Sequence, residues 1–248
     1  MKRLVLIFLV SLAVLFIAAC TKTSVNGSVS PTYLRMINTC YGQSFNLEVG
    51  GKQLLSGIAF DSISPYANGT SGFYSLNVID NNKTDSVVLT GNINLQSGLY
   101  YSLFLVPDSA QGSDSVLYSL ISNTVNRPLY DSTKIQFLDY AYNLPPISFC
   151  LAPQYGILTD TIGGLLNPIY QSRTYMDINS TPALAQFQTV HINTYNFIFY
   201  ADTGVAYIRQ IIYDTVVTLS RQALYTIYME GNYNSRNADS LKVKFVQQ

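Results

Sequence analysis

Tryptophan is absent from this chain of 248 residues, histidine occurs once, and glutamate occurs only as Glu48 and Glu230. Each scarcity closes off a chemistry. His191 is the one base open to a Ser-His-Asp triad, and Gly69-Thr70-Ser71-Gly72 lacks the Gly-x-Ser-x-Gly spacing of a nucleophile elbow. Zinc needs several His or Cys ligands at close spacing, whereas Cys20, Cys40 and Cys150 are far apart. A paired-carboxylate glycosidase would have to recruit aspartates such as Asp61, Asp80, Asp85, Asp139 or Asp177. Aspartate has a plainer use in turns, where it hydrogen-bonds its own backbone. Residues 80–85 offer oxygen ligands but neither the glycine nor the distal glutamate of a calcium loop, so they read as a hairpin turn. No catalytic residue, metal site or cofactor follows, and the expectation is a protein that is not an enzyme.

Charge is also scarce, at 11% of residues with a formal net charge of zero, which removes any electrostatic case for nucleic acid. In its place stand 20 tyrosines and many Ser, Thr and Asn residues. That balance suits β-strands whose outer faces are polar but uncharged.

One long apolar run exists, residues 4–19, in which only Ser11 is polar. Its sixteen residues fall short of the roughly 20 needed to span a bilayer as a helix, and Lys2 and Arg3 precede it. Residues 1–19 therefore read as a signal peptide. No charge cluster follows Cys20, which weighs against an uncleaved anchor helix. The tetrad Ile17-Ala18-Ala19-Cys20 resembles the lipobox of bacterial lipoproteins, and the resemblance implies lipidation of Cys20 as the new N-terminus. Each buried acyl methylene contributes about 0.8 kcal/mol, so several chains on one cysteine give a durable anchor. Cleavage would leave 12 basic against 14 acidic groups. Residues 20–31, rich in Ser, Thr, Gly and Asn, suit a flexible tether. Thr21 in place of the retention aspartate implies the outer membrane, with the leaflet left open.

Beyond the tether, apolar and polar residues alternate, as in Phe45-Asn46-Leu47-Glu48-Val49. Period two predicts strands half-buried on a core, and Gly50-Gly51 predicts a two-residue hairpin turn. About seven short strands separated by turn signals fill residues 32–126, the pattern of a β-sandwich. The chain then repeats itself. Residues 34–38 align with 135–139, 45–49 with 147–151, 72–76 with 193–197, and 95–103 with 219–227. The offset grows from about 101 to about 124, so the second copy, residues 127–248, carries an insertion at about 152–186. Two β-domains in tandem follow, with a boundary near Asn126-Arg127-Pro128.

The run from Ser44 to Val49, then Gly51, residues 59–66, Gly72-Phe73-Tyr74 and residues 95–101 together resemble the domain of unknown function 4397 of Bacteroidetes lipoproteins. The resemblance implies an immunoglobulin-like sandwich and a cell-envelope location, and brings no catalytic residues. The expected architecture is therefore all-β, with two tandem immunoglobulin-like β-sandwich domains behind a lipoprotein signal peptide and flexible tether.

Three candidate sites remain. Cys20 is the lipidation site. Tyr155, Tyr170 and Tyr175, with Tyr140 and Tyr142, would make a sugar-stacking platform around the insertion if exposed. The opposing reading is that tyrosine suits half-buried strands, with Tyr74, Tyr101, Tyr195 and Tyr225 as framework and a tyrosine corner among them. Cys40 and Cys150 are candidates for a disulfide in an oxidising compartment, with two thiols as the default. Alternation turns Cys150 away from its own core beside Ser148, so it is either exposed or between layers. The functional expectation is a membrane-anchored cell-envelope lipoprotein acting as a non-enzymatic binding or structural module. Its partners are then the membrane, through the anchor, and a glycan or envelope protein. The alternatives are a glycan-binding accessory protein of a polysaccharide-uptake system, and an adhesin or envelope assembly subunit.

Overall fold

Alternating sequences become strands here, and a computed structural model describes them over residues 30–83, 86–108, 115–123, 126–154, 161–162, 165–166, 168–202, 209–237 and 239–248. The signal run, Cys20, most of the tether, Asp85 and Tyr155 lie outside the described residues. Residues 31–248 form one compact unit.

The first half contains β1 (Thr32–Asn38), β2 (Ser44–Val49), β3 (Lys52–Ala59), β4 (Ser62–Ile63), β5 (Ala67–Gly69), β6 (Gly72–Asp80), β7 (Ser86–Leu95), β8 (Tyr100–Pro107) and β9 (Val116–Ser122). An outer sheet runs β3-β2-β6-β7, and an inner sheet runs β4-β1-β8-β9 with β5 also on β1. The β2–β3 turn is Gly50-Gly51, with φ of 60° and 73°, the double positive φ that a tight hairpin demands.

The second half contains β10 (Ser132–Tyr142), β11 (Ile147–Pro153), β12 (Thr161–Ile162), β13 (Leu165–Leu166), β14 (Tyr170–Arg173), β15 (Gln188–His191), β16 (Thr194–Asp202), β17 (Arg209–Thr218), β18 (Leu224–Asn232) and β19 (Lys242–Gln247). A short helix α1 (Asp177–Ser180) and a 3-10 turn (Pro182–Ala185) precede β15. The outer sheet runs β14-β11-β16-β17, the inner sheet β15-β10-β18-β19, and β12 pairs with β13.

The two halves take matching registers at several aligned positions. Leu34 pairs with Tyr101 across the parallel β1–β8 pair, and its counterpart Ile135 pairs with Tyr225 across β10–β18. Val49 faces Leu76 in the outer sheet, as Leu151 faces Phe197. Both corner tyrosines work alike: the Tyr101 hydroxyl accepts from Gln96 N–H at 3.0 Å, and that of Tyr225 from Ser220 N–H at 3.2 Å. The insertion is only partly extra, because β14 takes beside β11 the place that β3 takes beside β2.

Three apolar layers hold the four sheets. Leu34, Met36, Phe45, Leu47 and Leu103 fill the first half, while Ile135, Phe137, Phe149, Phe197 and Ile227 fill the second. Between the inner sheets lies a third layer, in which Phe104 packs on Tyr140 at 4.7 Å and on Tyr228 at 5.2 Å between ring centroids. Strands β8 and β10 are thus buried on both faces, and each carries apolar residues at successive positions, as in Leu103-Phe104-Leu105-Val106 and Phe137-Leu138.

Truncating Phe104 to alanine removes the central ring of that layer, and large-to-small changes of this kind cost about 3–5 kcal/mol. Urea unfolding of Phe104→Ala should show a midpoint lowered accordingly. In calorimetry the parent should melt in one transition, because both halves share this layer. Two separate transitions in the parent would contradict the coupling.

Candidate functional site

The insertion is tied down from its centre. Arg173, 1% exposed, donates to both oxygens of Asp177 at 2.6 and 2.7 Å and to the Phe137 carbonyl at 2.9 Å. A buried guanidinium is tolerable only with such a complete set of acceptors. Its charge also lies 5.8 Å from the ring centroids of Phe137 and Tyr170. Thr174 N–H donates to Asp177 as well, at 3.1 Å, so α1 begins where the ion pair fixes it.

Tyr170 belongs to the second half's core. It is 6% exposed, stacks on Phe149, and donates its hydroxyl to the Ile135 and Gln186 carbonyls at 2.7 and 3.1 Å. Tyr175 turns the other way, against the layer between the halves, with its hydroxyl donating to the Pro107 carbonyl. Tyr140 is wholly buried. These rings therefore present no common face for sugar stacking, because the insertion buries them in two different layers.

The insertion does build a groove with the first half. A cavity of about 600 Å³ runs along Tyr118–Ser122 of β9 and is closed on the other side by Ile178, Asn179, Pro182 and Ala185. Ser119 donates to Asn179 Oδ1 at 2.7 Å, and Asn179 Nδ2 donates to the Tyr118 carbonyl at 3.1 Å. Strand β9 ends its sheet, pairing only with β8 among the described residues. Asn123 N–H bonds Tyr100 O, and Asp108 N–H bonds Ser115 O, both at 2.8 Å. In an antiparallel ladder that phase turns the backbone groups of Ser119 and Ile121 inward and those of Leu120 and Ser122 outward. Val116–Ser122 also carries no charge, as edge strand β7 carries none, whereas β19 carries Lys242 and Lys244 and β17 carries Asp214. Charged side chains are a common guard on strand edges. Nothing in the local periodicity marks this edge; the uncharged run was the available signal, and reading it required the strand order.

A second polar cluster joins the halves. Asp61, in the turn after β3, receives Lys244 at 2.6 Å and Lys242 at 3.3 Å from β19. Partial burial opposes ionisation of Asp61, yet the two ammonium groups hold its carboxyl below the ordinary value. Glu230 on β18 is 1% exposed, and burial beside the Asp61 charge pushes its carboxyl up from an ordinary 4.5 to about 7. Burial pushes Asp139 up to about 7 also, against the 3.0 Å bond it accepts from Ala141 N–H. Arg35 and the C-terminal Gln248 add a further link, at 2.8 Å.

The two cysteines occupy separate places, and no disulfide joins them. Cys40 lies in the first half's core, and burial pushes its thiol up. Cys150 is wholly buried although it points away from its own core, with Sγ 3.0 Å from the Tyr200 hydroxyl. His191 ends β15 exposed, and its carbonyl accepts from the Tyr195 hydroxyl at 3.1 Å. Asp80 accepts from Asn82 N–H at 2.8 Å, the self-bonding expected of a turn aspartate.

The Glu230 shift sets a pH dependence. Folded Glu230 keeps its proton where the unfolded chain has lost it, so its contribution is full below about pH 4.5 and is lost as pH rises through about 7. Glu230→Gln removes that loss. Its urea stability relative to the parent should improve between pH 5 and pH 8 by on the order of 2–3 kcal/mol. A difference that stays constant with pH would show that Glu230 is ionised throughout.

No curated protein sequence matches this chain. A family model does match, from Thr32 at the start of β1 to Phe149 within β11, covering the whole first half and the first strands of the second. Residues 32–149 thus form a region similar to the domain of unknown function DUF4397.

Proposed function

We propose that the chain is a cell-envelope lipoprotein of the outer membrane, anchored through Cys20. In this reading its two immunoglobulin-like β-sandwiches act as a non-enzymatic binding module. The sequence Ile17-Ala18-Ala19-Cys20 behind a short apolar run supports the anchor. The binding role rests on one observation, the uncharged open edge of β9 beside the groove formed with the insertion. An open edge offers main-chain donors and acceptors to an added strand, and a flanking groove takes alternate side chains. The partner is accordingly an extended segment of another envelope protein. The same edge supports an assembly-subunit role over glycan capture, because Tyr170 is held in the core.

Two measurements test this. Cys20→Ala should abolish incorporation of labelled palmitate and move the protein from the membrane to the soluble fraction; retention of label would refute the anchor. A photo-crosslinking residue at Ser122 should give a discrete adduct with an envelope protein in intact cells, while one at the exposed Val216 of β17 should not. Equal adducts at both positions would remove the β9 edge from the proposal.

A further inference from the structure

The two halves differ at one end of their cores, and the difference opens a second site. In the first half a cavity of about 620 Å³ enters between the inner and outer sheets. Its floor is the closed end of the core, where Leu34 and Leu95 are buried, and its walls are the half-buried Val49, Leu54 and Tyr74. That volume falls within the roughly 300–1,000 Å³ of sites that bury small ligands.

The walls are held in place. The Tyr74 hydroxyl lies 2.5 Å from Thr70 Oγ1 and donates to the Ser71 carbonyl at 3.3 Å. Its ring stands against Gly50, where an added Cβ would come within 3.0 Å of it. Strand β5 places Gly69 opposite Thr32 at the mouth.

The second half supplies an internal control. Its counterpart of Thr32 is Thr133, and the residue opposite Thr133 is Val190, whose side chain packs against the second core. A valine thus covers the place that Gly69 leaves uncovered. Gly69 itself has ordinary extended backbone, and a Cβ there meets only Thr32 Cγ2, at 3.3 Å. Its lack of a side chain is therefore not required by the turn.

The chemistry of the mouth is one-sided. Lys52 is the one charged residue lining it, and among the described residues it has no ion-pair partner; Asn68 and Thr70 add neutral polar groups. Apolar walls beside a single cation complement a molecule with an apolar chain and an anionic head. We infer that the first half binds a single-chain anionic amphiphile, of which a fatty-acid anion is the simplest, with its chain along Val49, Leu54 and Tyr74 and its head at Lys52. Strand β1 begins beside this mouth, so the segment that leads back to Cys20 enters the fold at the same end. The binding itself does not depend on the anchor.

Laurate is the probe, titrated calorimetrically into residues 31–248, which form one compact unit. Laurate should bind, and affinity across octanoate, decanoate and laurate should rise by up to about fourfold per methylene. Dodecyltrimethylammonium should bind at least tenfold more weakly, and Lys52→Glu should reverse that order. Gly69→Val, which imports the second half's own residue, should cut laurate affinity at least tenfold while the melting temperature holds. Absence of laurate binding, or equal binding by Gly69→Val, would overturn the inference and leave the anchor and the β9 edge untouched. A Gly69→Val protein that melts early would be replaced by Val49→Phe, read against the same thresholds.

Discussion

Burial of the inner strands on both faces is the constraint from which the rest of this structure follows. A strand that alternates polar and apolar residues needs one partner layer, but β8 and β10 are buried on each side and need two. Facing sheets within each half cover one side. The other side can be covered only by the opposite half, which brings Phe104, Tyr140 and Tyr228 into one layer. Polar groups near that layer must then find partners across it. Asp61 meets Lys242 and Lys244, and Arg35 meets Gln248. Glu230 is drawn in beside them, and its carboxyl holds a proton more tightly as a result.

The insertion gives this duplicated frame its asymmetry. Its buried Arg173–Asp177 pair turns the chain from β14 into α1, Tyr170 fills the second core, and Tyr175 reaches back to the first half. What it leaves open is the groove beside β9, where Asn179 already bonds to the strand's outward carbonyl at Tyr118. A second asymmetry needs no insertion at all. Gly69 and Val190 hold equivalent positions opposite Thr32 and Thr133, and a single side chain distinguishes the two ends.

Reading along the chain, the alternation at residues 45–49 predicts β2, and Gly50-Gly51 predicts its turn; both are present as expected. The aligned Leu34 and Ile135 take the same register, against Tyr101 and Tyr225. The framework role of Tyr101 and Tyr225 follows from the same alignment. Less legible was the insertion, whose tyrosines are consistent with either an exposed platform or a packed core. Tyrosine carries both an apolar ring and a polar tip, so its identity does not decide its burial.

Local pattern therefore determined the strands, their turns and the duplication, because each depends on neighbours within a few residues. It also marked Cys20 as the expected anchor point. Tertiary structure alone decided what covers the second face of each strand. Phe104 became the centre of a layer between halves, Cys150 was buried on the side away from its own core, and β9 became a sheet edge. The physical reason is that side-chain alternation sorts residues between two faces without naming what packs on either. Strand order and sheet stacking bring residues more than a hundred positions apart into contact, and no local period encodes that choice.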